Sequence, residues 1–198
     1  MNYFTSDLHF GSDEILVREN RPFKNISAFQ EYCFILWSQQ LTEKDTLWII
    51  GDFINYNRKQ PLSKKEIDDV FGSIKQIKAK VILILGNNEL RIIQDFFDND
   101  FQPFRDYLIH LGFYDVKKDA YLSFENESFY LNHFPSAHIE DYVNLFGHTH
   151  RTTGLWKPYG LNVGCDLNYF RAYSENDILS LLSTKRKWWD NDIDNLCI

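Results

Sequence analysis

Two continuous apolar runs of strand length, Thr46–Ile50 and Val81–Leu85, and a shorter one, Tyr3–Thr5, each stop at a polar or glycine-containing step. The steps are Gly51-Asp52, Gly86-Asn87 and Ser6-Asp7. Runs without alternation read as strands covered on both faces. Helical periodicity fills the gaps between them. Ser27-Ala28-Phe29-Gln30 resembles a capping box with Ser27 as N-cap. It opens a predicted helix to about Leu41, with Phe29, Cys33, Leu36, Trp37 and Leu41 inward. Ser63-Lys64-Lys65-Glu66 is a second capping box, opening a helix to about Ile77. A helical stretch runs from Leu90 to about Phe97, and the aromatic segment from Phe101 to Leu111 is another helix or an irregular cover. The pattern then shifts. Tyr121 to Phe124 and Phe129 to Leu131 flank Glu125-Asn126-Glu127-Ser128 and read as a hairpin. Val143 to Phe146 ends at Gly147-His148, and Leu161 to Val163 ends at Gly164-Cys165-Asp166. Ile178 to Leu182 is a further strand or a final helix.

These elements, over 198 residues, suit one domain spanning 1–189, with residues 190–198 as a polar tail that frays. A chain of this length buries about 70% of its unfolded surface, so it requires no staple. Aromatics make up 17% of the residues, which predicts a bulky core. The net charge of −7 argues against a protein that coats duplex DNA, which needs a basic face. It leaves room for a nucleotide or a single-stranded end at a site whose local sign is set by bound cations. Cys33, Cys165 and Cys197 do not form a paired framework, and the expected setting is reducing and cytoplasmic. No signal peptide and no apolar run of membrane-spanning length is visible.

The polar residues after the strands carry the functional reading. In open α/β sheets, ligands bind beyond the carboxyl ends of the strands. Asp7, Asp52, Asn87, His133 and His148 each lie just past a predicted strand. Singly, each has an ordinary explanation: a turn former, a helix cap, a hydrogen-bonded core histidine. As a set they are harder to dismiss, since four of the six histidines fall in these segments.

The order Asp7-x-His9, Gly51-Asp52, Gly86-Asn87-x-Glu89, His133 and Gly147-His148-x-His150 resembles the calcineurin-like metallophosphoesterase superfamily. Phe4 to Gly11, Asn20-Arg21-Pro22-Phe23 and Leu161 to Asp166 further resemble its small bacterial and bacteriophage phosphoesterases. The resemblance implies an α/β fold, a four-layer α/β/β/α sandwich of two mixed β-sheets flanked by helices. It implies that Asp7, His9 and His150 hold one metal, that Asn87, His133 and His148 hold a second, and that Asp52 bridges both. Asp52, Asn88 and His148 would be the catalytic positions. Imidazole and carboxylate ligands together suit transition metals, Mn²⁺ first, with Fe, Zn²⁺ or Ni²⁺ as alternatives. A hydroxide shared by two cations about 3.5–4 Å apart would attack phosphorus in line. Asp166 is the candidate to orient a ligating histidine; otherwise it is a turn residue.

The departures narrow the chemistry. The family motif places a histidine beside the leaving group where this chain has Asn88, which donates a hydrogen bond but transfers no proton. A second histidine that the close branch tends to carry is replaced by Ser12. The expected activity is therefore hydrolysis of phosphodiesters or nucleotide-type phosphates, with alkyl monoesters cleaved poorly. The expected partners are nucleotides, cyclic nucleotides or single-stranded ends, and no membrane. The alternative is a metal or nucleotide sensor that kept the ligands and lost the acid. His138, close after His133, could swing in as a substitute acid or lie in a surface loop. Arg21, Lys24 and Arg171 could steer phosphate, with Arg21 the main candidate for substrate binding. Lys185-Arg186-Lys187-Trp188-Trp189 mixes cations with aromatics but is assigned no role.

Overall fold

The computed structural model describes residues 1–151, 155–156 and 160–185. Its elements, in chain order, are β1 (Asn2–Thr5), α1 (Glu14–Arg18), α2 (Ile26–Gln40), β2 (Thr46–Ile50), α3 (Lys64–Gly72), β3 (Lys80–Ile84), α4 (Asn87–Phe96) and α5 (Phe101–Leu111). There follow β4 (Asp115–Lys117), β5 (Ala120–Phe124), β6 (Glu127–Leu131), β7 (Val143–Phe146), β8 (Leu155–Trp156), β9 (Gly160–Asn162), β10 (Tyr173–Ser174) and α6 (Glu175–Lys185). The tail 190–198 and positions 186–189 of the cationic, aromatic cluster lie outside the described residues.

Two five-stranded sheets form, ordered β10-β1-β2-β3-β4 and β5-β6-β7-β9-β8. Alternation along the strands explains why they stack. Leu47 and Ile49 of β2 face a core shared with Phe29, Phe71, Ile92 and Phe104 from helices α2 to α5. Trp48 and Ile50, one residue out of phase, face a second core with Phe129, Leu131, Leu145 and Leu161 of the other sheet. The first sheet is thus covered on both faces, as its apolar runs require. Ile178 and Leu182 settle the last open element as a helix, α6, packed into the inter-sheet core. The architecture is the expected one, two mixed sheets flanked by helices.

Chain direction creates the rim. β1, β2 and β3 run parallel in the first sheet, and β6, β7 and β9 run parallel in the second. A parallel bridge between Ser6 and Gly164 joins the two sheets just past β1 and β9. Six carboxyl ends therefore open toward one edge, carrying Asp7, Asp52, Asn87, His133, His148 and Asp166.

Local differences from the sequence expectations have physical causes. The cap of α2 is Asn25, not Ser27: its extended backbone lets its side chain accept from Ala28 N at 2.9 Å. Asp13 Oδ1 also takes the Ile26 amide, at 2.6 Å, so the helix begins earlier. The Ser63–Glu66 capping box forms as read, but α3 stops at Gly72 and continues only as a 3₁₀ turn, Ser73–Gln76. Strand β4 and helix α1 are too short to leave a periodic signal. Cys33 and Cys165 are buried and unbridged; Cys197 lies outside the described residues.

Candidate metal centre

Strained backbone marks the rim before any side chain is considered. Asp7, His9, Asp52, His148 and His150 all adopt positive φ, between 47° and 68°. A non-glycine residue held there costs about 1–3 kcal/mol, and such residues cluster at functional sites. Close approach enforces the turns. A Cβ at Gly51, itself at φ +81°, would lie 2.4 Å from His133 Nδ1. A Cβ at Gly147 would meet Ser6 Oγ at 1.9 Å and Asp7 Oδ2 at 2.5 Å.

The side chains then converge. Asp52 is buried and turns its two oxygens in different directions: Oδ2 lies 3.5 Å from His9 Nε2 and Oδ1 lies 3.7 Å from His133 Nε2. Asp7, His9 and His150 form one group of potential ligands, and Asp7, Asp52 and His133 form another. On the second side, Asn87 Oδ1 stands 3.2 Å from His133 Nε2 and 3.0 Å from His148 Nδ1.

The outer nitrogens of two rings are tied back, which sets their tautomers. His133 Nδ1 donates to the carbonyl of Ile50 at 2.9 Å. His9 Nδ1 donates to Asn55 Oδ1 at 3.2 Å. In the neutral rings both Nε2 atoms are then bare lone pairs turned toward Asp52. His9 Nε2 is buried and has no hydrogen-bond partner among the described residues. His133 Nε2 faces the Asn87 amide oxygen, acceptor against acceptor. Facing acceptors 3.2–3.7 Å apart are what a cation between them would satisfy, since two ligands about 2.1 Å from a metal at right angles sit about 3 Å apart. The donor set of imidazole, carboxylate and amide oxygen fits divalent transition metals.

Protonation follows the same layout. Burial, reinforced by His150 and Arg18, holds His9 well below the usual imidazole range, so it stays neutral. Burial also lowers His148. His150 is raised: burial opposes this, but Asp166, Asp7 and Glu19 prevail. Burial raises the carboxyl of Asp7, which accepts the His148 amide through both oxygens at 3.0 Å.

Several residues hold this arrangement without joining it. Glu89, wholly buried in the first turn of α4, accepts the backbone N–H groups of Gly86, Asp52 and Phe53 at 2.8–3.0 Å. Burial, with Asp52 close by, pushes its pKa up to about 7. Asn55 and Glu19 escaped the sequence reading: Asn55 holds His9, and Glu19 sits 3.5 Å from His150 Nδ1. Neither follows a strand, so only proximity in space reveals them. Asp166 lies 3.8 Å from His150 Nδ1, as an orienting role would need.

Arg21, the candidate for substrate binding, does not line the cavity in front of the ligands. Its side chain is buried and forked onto Asp166 at 2.7 and 2.8 Å. It also donates to the carbonyls of Asp7 and Leu8 at 2.7 Å and lies over the Phe29 ring. It braces the Asp7 turn from behind. His138 is exposed and does not line the cavity in front of the ligands.

That cavity, about 440 Å³, is lined by His9, Asp52, Asn87, His148 and His150 together with Asn88 and three side chains from α1 and α4: Glu14, Arg18 and Arg91. Asn88 Oδ1 accepts the Tyr56 amide at 2.9 Å, which fixes the amide's orientation and leaves its NH₂ without a hydrogen bond among the described residues.

A buried carboxylate thus lies between two groups of imidazole and oxygen donors that could hold metal ions, on the rim of two stacked mixed sheets. The chain belongs to the calcineurin-like phosphoesterase family, whose model matches residues 3–196. A protein of unknown function from Aquifex aeolicus, AQ665, has a similar crystal structure, with a TM-score of 0.63, 19% identity, and coverage of 91% of this chain and 98% of that one. Weaker likeness, at a TM-score of 0.44, extends to Yfce, a phosphoesterase from E. coli (19% identity, 82% and 77% covered), and to an archaeal phosphodiesterase (14%, 82% and 81%). The uncharacterized protein MJ1445 of Methanocaldococcus jannaschii is 26% identical over 87 residues, 44% of this chain. The match spans 46% of that relative's length.

Proposed function

We propose that this chain hydrolyses phosphodiesters or nucleotide-type phosphates at a dinuclear metal centre. The observation that carries the reading is the divided carboxylate of Asp52, one oxygen toward His9 and the other toward His133. In this reading Asp7, His9 and His150 hold one divalent ion and Asn87, His133 and His148 the other, with Mn²⁺ the first candidate. Bound there, the ions supply Lewis acidity to the phosphoryl oxygens and acidify the attacking water.

The chain's own residues do the rest. Asp52 and Asp7 bring the negative charge that holds cations in a buried setting. Asn55 and the Ile50 carbonyl fix the His9 and His133 rings, so no reorientation precedes binding. Glu89 locks the Gly86 and Asp52 turns to each other. Asn88 lines the cavity and, with its oxygen on the Tyr56 amide, keeps an NH₂ that can donate to a substrate oxygen but cannot protonate it. An amide in place of an imidazole at position 88 favours substrates whose leaving groups depart unprotonated.

The test is hydrolysis of bis-p-nitrophenyl phosphate with added Mn²⁺, using Asp52→Asn as control. Turnover that the substitution abolishes supports the enzyme. Two bound metals without turnover would support the sensor instead.

A further inference from the structure

Arg91 is the one cation lining the cavity that has no hydrogen bond or ion pair among the described residues. Arg18, the other, is engaged, with Nε on Glu19 at 3.2 Å and Nη2 3.4 Å from His150 Nε2. Arg91 follows Asn88 by three positions and Asn87 by four on α4. That spacing puts all three on one helix face. Arg91 is exposed, whereas Asn88 is buried at 3% and anchored to Tyr56. The face therefore runs from Asn87, through Asn88, to an exposed guanidinium that is unpaired among the described residues. A second hollow, of about 260 Å³, adjoins the first and shares Glu14, Asn55 and Asn57 with it.

We propose that Arg91, with Asn88, receives the leaving group as an anion, and that the substrates are esters or anhydrides whose leaving group carries stable negative charge, such as an aryl oxide or a phosphate. The inference rests on the phosphoesterase reading above. In the step, water oxygen bonds to phosphorus and one water proton passes to solvent. The bond from phosphorus to the leaving oxygen breaks, and its electron pair stays on that oxygen. A guanidinium does not release a proton near neutrality, so it stabilises by charge and by paired N–H donors. It thus replaces an acid only for leaving groups that need no proton. Removing one preorganised donor of this kind costs on the order of 100-fold in rate.

The experiment compares wild type, Arg91→Ala and Arg91→Lys, all Mn²⁺-loaded and matched in thermal midpoint. A series of aryl methyl phosphodiesters spans leaving-group pKa, and calorimetry measures pyrophosphate and orthophosphate binding. The expected result for Arg91→Ala is a loss of about 100-fold in kcat/KM, a steeper dependence on leaving-group pKa, and pyrophosphate binding weakened about tenfold with orthophosphate unchanged. Arg91→Lys should fall between. Unchanged slope and unchanged pyrophosphate binding in Arg91→Ala would overturn the inference. Should the wild type bind two metals and cleave none of the esters, the phosphoesterase reading fails, and the pyrophosphate comparison still decides what Arg91 holds.

Discussion

Glu89 Oε2 accepts the backbone N–H of Asp52 at 2.9 Å, and the same oxygen accepts Gly86 N at 2.8 Å. One carboxylate thereby ties the end of β2 to the start of α4. Glu89→Gln puts an NH₂ where a backbone donor now points. The variant should lose about 1–3 kcal/mol, the range for a buried donor left unsatisfied. Urea unfolding of the metal-free protein measures it; a loss below about 0.5 kcal/mol would mean that the turns hold without Glu89.

The Arg21–Asp166 pair predicts an acid limb. Burial alone would raise Asp166, but the His150 ring 3.8 Å away and the Arg21 guanidinium pull its pKa down to about 2. A depressed carboxyl stabilises the fold above its ordinary value near 3.8, and that contribution is lost as pH falls from about 4 to about 2. It amounts to about 2 kcal/mol. Asp166→Asn should flatten the pH dependence of stability across that window, read from thermal midpoints between pH 2 and 5. At pH 7 it should cost about 3–5 kcal/mol, because Arg21 is left buried and unpaired. An unaltered acid limb would count against the pair.

How much of this could be read from the chain depended on what each residue acts through. Asp7, Asp52, Asn87, His133 and His148 were legible because each follows an apolar run, and parallel strands bring such ends to one rim. Arg21 was not: a cation in Asn20-Arg21-Pro22-Phe23 reads as surface, and nothing local announces that Phe29 and Asp166, 145 positions away, enclose it. Asn55 carries no pattern either, since its role lies in one contact with a ring 46 positions earlier. The Asn25 cap is hidden for a smaller reason: Ser27 and Gln30 fit a local rule, and the competing contact from Asp13 is not local.

Asn55 offers a test of ring positioning. Asn55→Ala frees His9 Nδ1, so the ring can turn or change tautomer. Metal affinity should fall about 10–100-fold, as for other partners that orient ligands. Mn²⁺ titration followed by calorimetry reads it. Affinity within twofold of wild type would show that packing against His150, at a centroid distance of 5.0 Å, suffices to hold the ring.

Electron paramagnetic resonance of the Mn²⁺-loaded protein tests whether Asp52 joins two metals. Wild type should bind two Mn²⁺ per chain and give the spectrum of an exchange-coupled pair, while Asp52→Asn should bind fewer or give uncoupled ions. One Mn²⁺ per chain in the wild type, or two without coupling, would mean that Asp52 bridges no metal pair.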